Sequence, residues 1–159
     1  MNNFCYYDYY FCGRVRWSQS IPIKINDDLL HIIPPPGSGI LLGFLLNILK
    51  GYNFTPENMS SINETILTYH RIVEAYKYTY GKRTEIGDPE FINIDNLMKN
   101  LTSSDYAAEI RRKIDDFKTM GDAKDYGAQF YAGKDEGTAH ISVLAPNGDA
   151  ISLTSSVNF

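Results

Sequence analysis

Cysteine is scarce: the sequence holds two, Cys5 and Cys12. With no second pair beside them they do not make a zinc site, and they read as incidental thiols. Positive charge is also short. Lys and Arg number 15 against 19 Asp and Glu, a net charge of −4 with a pI near 5.3. Arg111, Arg112 and Lys113 form the one basic cluster, and Asp115 and Asp116 follow at once. That pattern is a solvated helix face and excludes a nucleic-acid binder. The longest apolar run, Ile40 to Ile48, is broken by Gly43 and Asn47 and is too short for a membrane span. The opening MNNFCYYDYYFCG lacks both a positive n-region and an apolar h-region, so no signal peptide is expected. No internal repeat or low-complexity tract is present.

What is there suits one domain: 159 residues, 43% hydrophobic. The segment up to about Trp17 is aromatic and irregular. In LLHIIPPPGSGILLGFLLNILKGY, a short apolar strand ends at Pro34–Pro36, which cannot donate backbone hydrogen bonds. A helix from Ser38 to Lys50 follows, apolar nearly all round and therefore buried on more than one side. Gly37, Gly39 and Gly43 raise the possibility of a phosphate cradle, but the prolines remove donors where one needs them. Close loop–helix packing is the better reading.

Asn63 is placed to cap a second helix running to about Tyr80. Its apolar positions Ile66, Tyr69, Ile72, Val73, Tyr76 and Tyr80 recur at helical spacing and are expected in the core. GDPEF at 87–91 is a turn, and Leu97 begins a further short helix. Thr102 and Asp105 have capping-box spacing ahead of a helix ending near Phe117. A Gly- and Asp-rich linker is expected over 121–137. Glycosylation sequons at Asn53, Asn58, Asn63 and Asn100 lean towards an extracellular origin, the first spoiled by Pro56.

The final segment is the most informative. Between Thr138 and Ala145, and again between Ala150 and Asn158, polar and apolar residues alternate, as in half-buried strands. Pro146-Asn147-Gly148-Asp149 joins them as a hairpin turn. A two-residue loop at Asn147-Gly148 would set polar faces against apolar ones. A three-residue loop, Pro146 to Gly148 with the glycine left-handed, places Thr138 opposite Ser156 and brings Asn158 onto the same face. A threonine, a second hydroxyl and an amide then converge. His140 shares that face and is expected to serve packing rather than act as a base.

Thr138 read alone is a strand opener with a cross-strand hydroxyl neighbour. Read chemically, it is a nucleophile preceded by Gly137, a small residue able to occupy the strained turn that presents a scissile carbonyl. In such chemistry the hydroxyl attacks the preceding carbonyl, the ester hydrolyses, and the freed α-amine becomes the general base.

DEGTAHISVLAPNGDAISLTSSVN closely resembles the processing-site segment of the γ-glutamyltransferases, or glutathione hydrolases. PPPGSG, LNILKGYNF, TYHRIVEAYKYTYGKRTEIGDPEF and LTSSDYAAEIRRKI resemble that family in its order, so the likeness spans roughly Gly13 to Phe159. The resemblance implies that Thr138 is the nucleophile and Gly137–Thr138 the bond cut by the precursor. Ser156 stands where the family usually has a threonine that hydrogen-bonds the nucleophile. Asn158 matches the asparagine that holds the amino end of the substrate. The implied fold is α+β, part of an αββα N-terminal nucleophile hydrolase sandwich, with helices followed by a C-terminal β-hairpin. Residues 1–137 would be large-subunit-like and 138–159 the start of the small subunit.

The implied substrates are glutathione and other γ-glutamyl compounds, with amino acid or peptide acceptors. No cofactor, metal, nucleic acid or membrane span is implied, and the implied location is extracellular or at the cell surface. The family's substrate-carboxylate arginine, downstream acidic residues, serine pair and oxyanion glycines have no match here. A partial chain unable to turn over glutathione by itself is therefore expected. The alternative is a catalytically incomplete decoy acting as a non-enzymatic binding module.

Overall fold

A computed structural model describes residues 17–130 and 138–156. The aromatic opening, with Cys5 and Cys12, lies outside the described residues. Strands β1 (Ile21–Ile25) and β2 (Asp28–Ile32) make an antiparallel hairpin with Ile23 opposite Leu30. β1 was not expected, although IPIKI alternates and Asn26-Asp27 is a usable turn. Asn26 adopts a φ of 55°, which asparagine tolerates better than most residues. The hairpin buries Ile23 and Ile32 against helix α1 (Gly39–Lys50).

α1 is the centre of the helical body. It packs against β1, β2 and the helices α2 (Ile62–Arg83), α3 (Asp95–Leu101) and α4 (Ser104–Lys113). Burial on several sides, expected from its apolar circumference, is observed: Ile40, Phe44 and Ile48 are wholly buried. Gly39 serves close packing, as expected, since a Cβ there would stand 2.5 Å from the Ile33 carbonyl oxygen. Truncating a buried aromatic such as Phe44 to alanine costs about 3–5 kcal/mol.

The helix ends differ from expectation for local reasons. α2 is capped by Ser61, whose hydroxyl accepts from the Glu64 amide at 3.2 Å, rather than by Asn63. α4 is capped by Ser103, accepting from Tyr106 N at 3.3 Å, one residue after Thr102. It stops at Lys113 because Ile114 turns extended and Asp116 is held by Arg71 at 2.6 and 2.8 Å. Phe117 is left exposed. Arg111 is not merely solvated: it donates to the Ile48 carbonyl near the C-terminus of α1 at 3.1 Å.

The apolar stripe of α2 is a larger correction. Ile66, Tyr69, Val73, Tyr76 and Tyr80 are exposed, Tyr80 at 61%. The helix instead buries Thr68, Glu74, Ala75, Tyr78 and Thr79. Ala75 and Tyr78 join the core cluster around α1. Glu74 can be buried because the segment after α4 supplies donors. Its carboxylate accepts from Lys77 at 2.7 Å, Thr119 at 2.7 Å and Tyr126 at 2.8 Å, and Lys77 also bonds Thr119. The expected 121–137 linker is thus partly structured. Residues Ala123–Tyr126 form a 3₁₀ turn whose Tyr126 ring is buried edge-on against Tyr78. Gly81 makes this docking possible, since a Cβ there would lie 2.3 Å from the Tyr126 carbonyl oxygen.

Burial pushes the Glu74 carboxyl up, but the hydrogen bonds from Lys77, Thr119 and Tyr126, with the lysine's charge, more than offset this. Its pKa therefore lies below the ordinary 4.5. A depressed folded pKa means stability that is present above the unfolded value and lost as pH falls through the folded one. Glu74→Ala should therefore cost on the order of 3 kcal/mol at neutral pH. The gap from the parent should narrow as pH falls from about 4.5 through the lower folded value. Urea titrations at pH 7 and below pH 4 check this; a gap that is independent of pH contradicts it.

Candidate functional site

β3 (Thr138–Leu144) and β4 (Ala150–Ser156) form the second antiparallel pair, and among the described residues no third strand joins them. The turn has the predicted form. Gly148 N donates to the Ala145 carbonyl at 3.0 Å, and Ala145 N donates to that of Asp149 at 2.8 Å. Gly148 itself adopts a φ of 91°. A type I turn closed by a left-handed glycine makes the loop Pro146 to Gly148, and Ala145 opens the turn instead of ending the strand.

The register follows from that loop. Leu144 lies opposite Ala150, His140 opposite Thr154, and Thr138 opposite Ser156. Counting outward from the Ala145–Asp149 hydrogen bond, the even-numbered rungs are the non-hydrogen-bonded pairs. In these the Cα atoms stand about 4.5 Å apart and side chains come closest. Thr138 and Ser156 thus share a rung at the open end of the hairpin. Gly137 and Asn158 lie outside the described residues.

The two middle rungs of the polar face are tied together. The Nδ1 of His140 and the Thr154 hydroxyl are 2.8 Å apart, and its Nε2 and the Ser142 hydroxyl 2.9 Å. Ser142 and Ser152 join their hydroxyls at 2.9 Å. His140 was expected to serve packing; instead it is exposed and hydrogen-bonded across the strands. The sequence signal was available, since hydroxyl residues stand at every even position from 138 to 156 other than 140, 144, 146, 148 and 150. Ile141, Val143, Ile151 and Leu153 form the opposite face, which is exposed.

Elsewhere the chemistry is thinner. Among the described residues no group of three or more His, Cys, Asp or Glu side chains is arranged to hold a metal ion. A cleft of about 420 Å³ lies between α2 and residues 120–130, but its Lys77 is bonded to Glu74, Thr119 and Tyr126. No helix among the described residues is long and apolar enough to cross a membrane.

Residues 12–159 match the family profile described as Gamma-glutamyltranspeptidase. Scoloptoxin SSD14 of Scolopendra dehaani is 42% identical over 130 residues, which is 82% of this chain and 22% of that protein. Glutathione hydrolase 5 proenzyme of Mus musculus is 33% identical over 141 residues, 88% of this chain and 25% of that protein. The chain therefore spans about a quarter of the length of these relatives. The crystal structure of Helicobacter pylori gamma-glutamyltranspeptidase superposes with a TM-score of 0.58 at 19% identity, over 76% of this chain and 34% of that one. That likeness is one of fold.

The loop predicts its own test. Any side chain at Gly148 meets a backbone conformation that costs an L-residue about 1–2 kcal/mol. Gly148→Val should therefore weaken amide-exchange protection across β3 and β4 while leaving α1 and α2 protected. Cross-strand Hα–Hα NOEs should join His140 to Thr154 and Thr138 to Ser156, as expected for non-hydrogen-bonded rungs. NOEs that instead join Thr138 to Val157 would contradict the register argument.

Proposed function

The chain belongs to the gamma-glutamyltranspeptidase family, and from that premise we propose that Thr138 is the nucleophile of a γ-glutamyl hydrolase and transferase. The observation that carries this reading is the Thr138–Ser156 rung at the open end of a polar hairpin face, within a segment matched to the family. In the precursor, the Thr138 hydroxyl attacks the Gly137 carbonyl carbon and the peptide nitrogen leaves as the α-amine of Thr138. Water then hydrolyses the ester, leaving Gly137 as a carboxylate and Thr138 as a new N-terminus.

In turnover, the α-amine takes the hydroxyl proton as the oxygen attacks the γ-glutamyl carbonyl. The amide nitrogen of the leaving group takes a proton and departs, and a glutamyl ester remains on Thr138. Water gives hydrolysis and an amino acceptor gives transfer. Glutathione is the substrate that the relatives' names support. Ser156 would supply a hydroxyl to the nucleophile and Asn158 would hold the substrate's amino end. Serine in place of the family's threonine keeps the hydroxyl and loses the methyl that restricts χ1, so its orientation is looser. Residues 1–137 would belong to the large processed part and 138–159 to the start of the small one, both within one αββα sandwich.

The test joins residues 12–159 to the remaining sequence of a relative such as the mouse glutathione hydrolase 5 proenzyme. Glutathione hydrolysis should be measurable, Thr138→Ser should retain part of it, and Thr138→Ala should lower it by about 10⁴–10⁶-fold. Hydrolysis that survives Thr138→Ala would overturn the reading.

The same reading places the protein outside the cell or at its surface, where the sequons become acceptors. Asn63 and Asn100 are exposed on α2 and α3. Asn58 uses its Oδ1 to accept from Thr55 N at 2.8 Å, which leaves its Nδ2 for a glycan. In a eukaryotic secretory host, with a signal peptide supplied, peptide mapping should find glycan on one or more of these, with Asn53, followed by Pro56 after its sequon, least occupied. Occupancy at Asn53 with the other three bare would reverse the ranking.

A further inference from the structure

We propose that His140 is a positioning residue for the Thr138 reaction, acting through Thr154. The inference rests on the functional reading above, but its geometry is independent of it. His140 occupies the rung next to Thr138–Ser156 and uses both ring nitrogens, one on Thr154 and one on Ser142. A neutral imidazole has one N–H and one bare nitrogen, so a ring bonded at both ends gives its hydroxyl neighbours opposite roles.

Ser142 has a second partner in Ser152 and can supply or accept a proton there. In the tautomer that this role requires, Nε2–H donates to Ser142, whose own hydroxyl proton goes to Ser152. The ring Nδ1 then accepts from Thr154, and the Thr154 proton is committed to the ring. The Thr154 oxygen is left with only lone pairs, on the rung diagonal to Thr138, where Cα atoms lie about 7–8 Å apart. An acceptor of fixed direction in that place favours a donor on the next rung: the Thr138 hydroxyl before processing, its α-amine afterwards. His140 need not touch substrate to do this.

Without His140 the Thr154 hydroxyl rotates freely and competes as a donor. Truncation should then lower the rate of chemistry more than it weakens binding. Phenylalanine keeps the ring's bulk and removes both nitrogens, whereas glutamine restores a donor and an acceptor. Because His140 and Thr154 act as one unit, their losses should not add.

The test has two arms. In the 159-residue chain itself, ¹⁵N spectra of labelled histidine, assigned by His140→Gln, should show one protonated and one bare ring nitrogen for His140 at neutral pH. Thr154→Val should move the bare-nitrogen signal and Ser142→Ala the protonated one. Averaged tautomers, or signals indifferent to both variants, overturn the proposal. In the joined enzyme, His140→Phe should lower kcat about tenfold with KM within about twofold, His140→Gln should recover most of it, and Thr154→Val should match His140→Phe. The double variant should lose no more than either single one. Additive losses, a change in KM alone, or full activity in His140→Phe refute it. Should Thr138→Ala leave hydrolysis intact, the functional reading fails while the tautomer result stands. Should Thr138→Ala abolish it and His140→Phe do nothing, this inference alone fails.

Discussion

Gly148, held at a φ of 91°, is the constraint from which the C-terminal hairpin follows. It closes a loop of Pro146, Asn147 and Gly148, and the loop length fixes the rungs from Leu144–Ala150 out to Thr138–Ser156. A slip of one residue in that pairing would turn every side chain of one strand to the other face. With the glycine in place, hydroxyls and an imidazole gather on one side, and Ile141, Val143, Ile151 and Leu153 on the other. The chemistry proposed for Thr138 depends on this sorting, because a nucleophile at the head of a strand needs polar neighbours fixed by backbone pairing.

The helical body is organised differently, around α1 and one buried carboxylate. Glu74 would be costly to bury alone; Lys77, Thr119 and Tyr126 satisfy it and in doing so draw the segment after α4 onto α2. Gly81 lets the backbone at Tyr126 come close, and the Thr84 hydroxyl accepts from Gln129 N at 2.9 Å. Thus the stretch leading towards Thr138 is pinned at several points by α2.

Patterns that depend on near neighbours could be read directly. The register of β3 and β4, the burial of α1 and the proline stop after β2 all arise from residues within a few positions of one another. The core face of α2 could not be read this way. Its apolar stripe is periodic, yet burial went to Glu74, Ala75 and Tyr78, because Glu74's partners Thr119 and Tyr126 lie 45 and 52 residues away in sequence. The caps slipped because Ser61 competed with Asn63 and Ser103 with Thr102, a choice made by backbone dihedrals that composition does not reveal. Of the site, Thr138 and Ser156 were placed by pattern alone, their roles came from resemblance, and the double bonding of His140 needed coordinates.

The central claim is that the chain is cut before Thr138 by Thr138 itself. N-terminal sequencing of the small fragment from the joined enzyme, purified under protease inhibition, tests it most directly. The account predicts a fragment beginning Thr-Ala-His-Ile-Ser, formed at a rate independent of protein concentration, as an intramolecular step requires. A fragment beginning at any other residue, or one whose formation accelerates with concentration, would contradict it.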